Sequence, residues 1–499
     1  MHITSQEARK PSSAAAGGSL RRTSPLETPH VVAVLPRGEA IRNFVYSGAL
    51  DEVAAQAKVT VLSVVPDAEF QQLIAGRYHG FHCLTDRPEA WIVGFTREML
   101  DIAHGRALWS VAAQDRWRIR DAEAATGGAR LKRGLKKLLC APFANGPGLE
   151  LLSGWERKAS WWFRNSDEFV RLFQSLKPTL VFNGSHVHGR AAVQAVNAAQ
   201  WLGIPTAAFL FSWDNLTSQG RIVPPYDHYL VWNESIRGDL RRIYPAIQPD
   251  RIAIVGTPQF DFHFRPENHW SREEFCGRVG ADPGRPVVLY STGMANHMPG
   301  EPEVVEEVAN MLGRMKRFGP PQLLVRVYPK DLTGRFEELR KRRRDILFPD
   351  IPWEPAWLTP KVDDLPLLTN MLRHCAAGIN IASTVSLELC MFDKPVVNVG
   401  YDPPGVDRKE DSSARYYEFD HYKPVVASGA VEVAYSSGDM ERLLSAALEN
   451  PGARSGERRR LLETMFGDTL DGRSSGRVAA ALLELASAPE ECGAAKEPG

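Results

Sequence analysis

Short, almost unbroken apolar runs alternate with helix-patterned stretches along this chain, and the alternation runs through twice. HVVAVLP (30–36) leads into the helical FVYSGALDEVAAQA and on to KVTVLSVVP (58–66). TLVFNGSH (179–186), a helical pattern across 189–203, IPTAAFLFSW (204–213), HYLVWNE (228–234) and RIAIVGTPQFD (251–261) complete a first series. The second comprises PVVLYSTG (286–293), a helix over 301–317, QLLVRVYP (322–329), a charged helix over 333–344, GINIAS (378–383) and PVVNVG (395–400). Strands that show no polar alternation are those covered on both faces, which is the condition of a parallel sheet between helical layers. At 499 residues the chain is too long for one core. The pattern therefore predicts an α/β protein with two doubly wound parallel-sheet domains, over 29–265 and 286–487, joined by a linker over 266–285. Residues 1–28, rich in Ser, Ala, Gly, Arg and Pro, read as a disordered leader and not a signal peptide, and 488–499 as a tail.

Sixty basic residues offset sixty acidic ones, so overall charge selects no partner and gives no support to nucleic-acid binding. The six cysteines are scattered without a C-x-x-C pair, which predicts unpaired thiols in a reducing compartment and no structural zinc. No run reaches the roughly 18 apolar residues of a membrane span. The expected location is cytoplasmic, with room for contact at the inner face of a membrane.

Residues 95–175 fit neither series and read as a helical insertion in the first domain. From Arg116 to Lys137 it holds eight basic residues against Asp121 and Glu123, and ARLKRGLKKLLCAPF aligns Leu131, Leu135, Leu138 and Leu139 on one helical face. With Trp155, Trp161 and Trp162 following, this is the composition of a helix lying on an anionic membrane. The competing reading docks the leucines on the sheet and leaves the charges in water.

The stretch INIASTVSLELCMFDKPVVNVG (379–400) reads as strand, turn, helix and strand, with Ser383 and Thr384 at the carboxyl end of the first strand. Ligands of open parallel sheets bind there, where free helix N–H groups and the positive dipole end suit a diphosphate. Glu388, one turn on, is placed to accept hydrogen bonds from a ribose. A plain helix cap is the alternative, since Ser and Thr are favoured at that position in any protein.

Three stretches carry a resemblance. VGTPQFD (255–261), LLVRVYPKD (323–331) and STVSLELCMFDKPVV (383–397) resemble signature positions of GT-B glycosyltransferases, especially the branch holding CDP-glycerol glycerophosphotransferases and non-hydrolysing UDP-N-acetylglucosamine 2-epimerases. LPRGEAIRNFVYSGAL (35–50) and SWDNLTSQG (212–220) are similar to stretches of bacterial surface-polysaccharide proteins in that superfamily. The resemblance implies two Rossmann-like domains, with the acceptor side in the first and the nucleotide in the second. It implies Arg326, Lys330, Ser383, Thr384 and Ser386 at the diphosphate and Glu388 at the ribose. Relatives often carry His before the Pro of an R-x-H-P motif; Tyr328 stands there in this chain, and a phenol cannot serve as an imidazole acid. Such enzymes typically need no bound metal, because side chains and a helix dipole neutralise the leaving diphosphate; neither metal nor cofactor is expected. EFD (418–420) has Asp-x-Asp-like spacing but reads as a surface loop.

A transfer to an acceptor hydroxyl needs a base within hydrogen-bond reach. The candidates, in order, are Asp214, His188, then His186 and Glu39; each has a structural alternative, Asp214 and Asn215 as a turn cap above all. Arg42, Asn43 and Asn215 are candidates for the acceptor side. The activity implied is transfer of a sugar or polyol phosphate from a nucleotide-activated donor to a glycan or lipid-linked acceptor in bacterial cell-surface polysaccharide synthesis. Two alternatives stand beside it: a nucleotide-sugar 2-epimerase, and a non-catalytic scaffold of the same fold. With no G-x-G-x-x-G after the first strand and no G-x-x-x-x-G-K-[ST], dehydrogenase and P-loop readings lack support.

Overall fold

The computed structural model describes residues 28–488, apart from 66–67, 188, 316, 318, 356–357 and 406–411. The expected leader up to residue 27, the tail from 489, and His188 lie outside the described residues. The first sheet comprises β1 (His30–Leu35), β2 (Lys58–Ser63), β3 (Gly80–Cys83), β4 (Leu180–Asn183), β5 (Thr206–Phe209), β6 (His228–Val231) and β7 (Ile252–Ile254). All pair in parallel, in the order β3-β2-β1-β4-β5-β6-β7. The second has β8 (Val287–Ser291), β9 (Gln322–Arg326), β12 (Ala377–Asn380), β13 (Val396–Val399) and β14 (Glu432–Ala434), again parallel, in the order β14-β13-β12-β8-β9. A two-stranded antiparallel piece, β10 (Trp353–Glu354) with β11 (Thr359–Pro360), stands between β9 and β12. Val31, Val32, Ala33, Val34 and Leu35 have no exposed surface, as a strand covered on both faces requires.

Strand order reverses once in each sheet. The chain leaves β1 outward through β2 and β3, then returns to place β4 on the other side of β1; likewise β8 and β9 run outward before β12 pairs with β8. Each reversal opens a crevice at the carboxyl ends of the flanking strands. In the second sheet that crevice is bordered by the turn carrying Ser383 and Thr384.

The insertion forms helices at Trp91–Leu108, Val111–Glu123, Gly127–Cys140, Gly146–Trp162 and Asp167–Leu176. It has a small core of its own around Met99, Leu100, Ile102, Ala103, Cys140, Leu149 and Leu152. The expected strand 251–261 stops at Ile254, and PQFDFHF turns into 3₁₀ geometry with Pro258 at its start, where a strand would lose a ladder hydrogen bond. The charged helix is shorter than expected, Glu337–Arg342. The helix Ser474–Ser487, inside the span 286–487 expected of the second domain, lies on the first, against Ala49–Ala54. Asp261 fixes its start by accepting from the Ser474 and Ser475 amides at 3.1 and 2.7 Å. Among the described residues the cysteines are unpaired; Cys140, Cys276, Cys375 and Cys390 are buried and Cys83 is exposed.

Candidate functional site

Side chains from the two sheets meet where their switch points face one another. From the first domain come the turn after β1 (Arg37, Glu39, then Arg42 and Asn43), the turn after β5 (Ser212 to Asn215) and the 3₁₀ segment with His263. From the second come the loop after β9 (Tyr328, Lys330), the helix Asp364–His374, and the turn leading into the helix Val385–Met391.

Several contacts join the two sides. Lys330 Nζ pairs with Glu39 Oε1. Burial, and then the Arg37 cation, push the Lys330 ammonium down to about 7. Trp213 Nε1–H donates to Thr384 Oγ1 at 3.2 Å. His263 Nε2–H donates to Glu388 Oε1 at 3.2 Å, while the Thr369 hydroxyl donates to His263 Nδ1 at 3.0 Å. Gly38 packs so tightly on β11 that a Cβ there would lie 2.5 Å from the Thr359 Cα.

The turn that opens the site is conformationally loaded. Ala382, directly before Ser383, has φ +40°, a region that side-chain-bearing residues rarely adopt. Asn380 Oδ1 accepts from the Ser383 amide at 3.1 Å and holds the turn. The Ser383 hydroxyl accepts weakly from the Val385 amide at 3.3 Å, as a cap would. Thr384 does not cap the helix; its hydroxyl faces Trp213 of the other domain.

Two residues expected at the diphosphate are engaged elsewhere. Arg326 donates both terminal nitrogens to Asp364, each at 2.9 Å, and is buried. Trp353 Nε1–H completes that carboxylate at 2.7 Å. Ser386 has no exposed surface, and its hydroxyl lies 3.0 Å from Asn380 Oδ1 and 2.7 Å from the Tyr422 hydroxyl. Helical geometry is the reason: Ser386 is two residues beyond Thr384, so it turns toward the core while Thr384 turns toward the cleft.

On the first-domain side, Arg42 donates to Asn43 Oδ1 at 3.0 Å and to Gln259 Oε1 at 2.9 Å. Burial pushes its guanidinium down, and Glu388, Asp364 and Tyr328 across the cleft pull it back up. Asn43 has no exposed surface, and its Nδ2 is buried without a partner. Asp214 accepts from the Ser212 hydroxyl and from the Ser218 hydroxyl at 2.8 Å; Asn215 Oδ1 accepts from the Ser212 amide at 2.9 Å. Both therefore make turn bonds, and Asp214 is still half-exposed. His186 is held near Phe209 O at 3.3 Å, and burial drives its imidazole down to about 4, with Asp214 pulling upward.

Sequence reasoning missed two histidines. His263 lies two residues beyond the expected strand 251–261, in the 3₁₀ segment Pro258–Phe264. His421 follows the EFD triplet, and its ring packs edge-on against Trp213 with centroids 5.2 Å apart. Its Nδ1 is buried without a partner, and Asp214 acts on it electrostatically while burial lowers its pKa. Glu418 and Asp420 are exposed, as a surface loop predicts. Among the described residues, no three His, Cys, Asp or Glu side chains converge as a metal site.

A cavity of about 240 Å³ opens in the second domain beside this cleft, bordered by Tyr328, Pro329, Arg335, Phe336, Ile351 and Trp353. Beneath it Arg335 holds Asp331 at 2.5 Å and the fully buried Glu301 at 2.7 Å.

No family model matches the sequence, and no curated protein does. Solved structures do match in fold. A UDP-N-acetylglucosamine 2-epimerase assignment from Listeria monocytogenes is 13% identical with a TM-score of 0.51, over 91% of this chain and 96% of that one. The 2-epimerase from Neisseria meningitidis bound to UDP-GlcNAc is 12% identical with a TM-score of 0.50, over 91% of this chain and all (100%) of the other. This chain has the GT-B fold. The two facing crevices are thus the interdomain cleft of that fold, and the contacts above lie across it.

Proposed function

We propose that the chain is a nucleotide-sugar-dependent glycosyltransferase that works in the cytoplasm at the inner face of a bacterial membrane, in cell-surface polysaccharide synthesis. It moves a sugar, or a polyol phosphate, to a glycan or lipid-linked acceptor. The observation that carries this reading is the convergence of Lys330, Thr384 and Glu388 with Arg42, Glu39 and Asp214 on one cleft. A diphosphate would replace Glu39 as the partner of Lys330 and take the Thr384 hydroxyl from Trp213. Glu388, already oriented by His263, would accept from the ribose, and the cavity beside Tyr328 and Trp353 would take the base. Arg326 holds the site's shape through Asp364.

For an inverting transfer, the acceptor oxygen bonds to the anomeric carbon as the bond from that carbon to the diphosphate breaks. The acceptor proton passes to Asp214, with His421 alongside, and the nucleoside diphosphate leaves with the bonding pair. Titrating UDP, CDP and GDP into the protein by calorimetry, followed by incubation with nucleotide sugars, tests the reading. Binding of at least one nucleotide is expected, and absence of affinity for all three would remove it.

The 2-epimerase reading draws support from the names of the proteins matched in fold. It predicts isomerisation of a nucleotide sugar with no acceptor added, whereas a transferase leaves the sugar unchanged until an acceptor is supplied.

A further inference from the structure

The helix Gly127–Cys140 is mounted inside out. Its basic residues Arg133, Lys136 and Lys137 turn toward the protein: Arg133 and Lys137 both reach Asp121, Lys136 reaches Glu98, and Lys137 also sits 4.5 Å over the Trp117 ring. Cys140, on the same face, is fully buried and donates to Met99 O at 3.3 Å. The opposite face holds Leu131, Leu135, Leu138 and Leu139, which are 76%, 55%, 70% and 49% exposed. The leucines do not dock on the sheet, and Arg133, Lys136 and Lys137 are spent inward. Leucines at i, i+4 and i+7 in water, on a helix whose cations are anchored to the body, form a face that something else must cover.

The next helix continues the surface. Gly146–Trp162 exposes Leu151, Trp155 and Trp162, at 48%, 46% and 72%, and Phe143 in the connection packs on Trp155 with centroids 5.7 Å apart. Charge identifies the occupant. Of the seven basic side chains in residues 127–163, Arg133, Lys136 and Lys137 are spent inward, which leaves Arg130, Lys132, Arg157 and Lys158 against two acidic ones, Glu150 and Glu156. Both carboxylates are taken by the protein, Glu150 by Arg221 and Glu156 by Arg97. Lys132 and Lys158 stand among the exposed leucines and tryptophans.

We infer that this leucine and tryptophan face docks on an anionic lipid surface. Exposed aliphatic side chains enter the acyl boundary, tryptophans sit at the headgroup level, and flanking lysines meet the lipid phosphates. Fourteen residues of helix span only about 21 Å, so the element lies in the interface and does not cross it. The insertion also borders the cleft: Ser110 donates to Thr217 O at 2.7 Å, and Asp115 pairs with Arg415 of the second domain at 3.3 Å. Docking would therefore hold the cleft near the bilayer, where a lipid-linked acceptor resides. The inference rests on the exposed face itself and stands whether or not the transferase reading does.

Sedimentation of the full chain with vesicles of phosphatidylcholine, with and without phosphatidylglycerol, tests it. Binding to the anionic vesicles is expected. The triple variant Leu131→Gln/Leu135→Gln/Leu138→Gln should weaken it by roughly tenfold or more, and Lys132→Glu/Lys158→Glu should abolish the preference for phosphatidylglycerol. These positions are exposed and Gln sustains a helix, so an unchanged melting temperature and unchanged calorimetric nucleotide binding would show that the fold and cleft are intact. No vesicle binding by the parent chain would overturn the inference. So would a concentration-dependent dimer, seen by light scattering and abolished by the triple variant, because a second copy would then cover the face.

Discussion

At the scale of single residues, neighbours in one short turn have opposite tasks, and mutation should separate them. Thr384→Val removes a hydroxyl that faces the cleft; nucleotide affinity should fall by about 5- to 10-fold, with the melting temperature nearly unchanged, when calorimetry and thermal unfolding are run together. Ser386→Ala should do the reverse. It leaves Asn380 and Tyr422 short of a buried partner, costing about 1–3 kcal/mol of stability by urea titration, with little change in affinity. His263→Ala leaves Glu388 and Thr369 without the imidazole that links them across the cleft. It should weaken nucleotide binding by about tenfold through a Glu388 that is no longer held in place, and His263→Asn should restore part of the loss. None of these distinctions could be drawn from STVSLE alone, because three hydroxyls within four residues look equivalent until the helix phase is known.

At the scale of elements, the strands were the legible part. Unbroken runs such as HVVAVL and PVVNV leave a parallel, doubly covered strand as their best solution, and the structure places them there. The edge strands β3 and β14 were missed for the same physical reason. Gly80–Cys83 and Glu432–Ala434 are half-exposed and short, so they carry no continuous apolar signal. The partner of the C-terminal helix was not legible, since Asp261 caps it from more than two hundred residues away. Asp261→Ala should release that cap and the start of the helix. The expected loss is about 1–2 kcal/mol, with faster hydrogen exchange in 474–487 by mass spectrometry.

At the scale of the whole molecule, buried imidazoles tie stability to acidity. Burial pushes His186 and His297 down from 6.5 to about 4, and His104 to about 3. In the unfolded chain each takes up a proton near pH 6.5, while the folded protein refuses it until much lower pH, so unfolding absorbs protons in that window. The stability these groups contribute is complete above pH 6.5 and is lost as the pH falls toward 4. Glu301 works in the opposite sense: burial raises it to about 7, so the folded form favours its proton between pH 4.5 and 7. Three imidazoles outweigh one carboxyl, and the urea midpoint should fall as the pH is lowered from 6.5 to 4. His186→Asn should flatten part of that slope.

The order and spacing of apolar runs were enough, by themselves, to specify two parallel sheets in tandem. Burial on both faces leaves its mark on every residue of a strand, and that mark is local. The motifs at 323–331 and 383–397 likewise fell at the carboxyl ends of β9 and β12. Which side chains reach the cleft was decided only by the packing of one domain on the other. The Lys330–Glu39 pair, the His263–Glu388 link and the Trp213–Thr384 bond each join residues more than a hundred positions apart, and Arg326 is withdrawn by Asp364. The exposed leucine face of Gly127–Cys140 is of the same kind. Its amphipathic pattern was plain, but whether the apolar side turned inward or outward depended on Asp121 and Glu98, which lie on other helices.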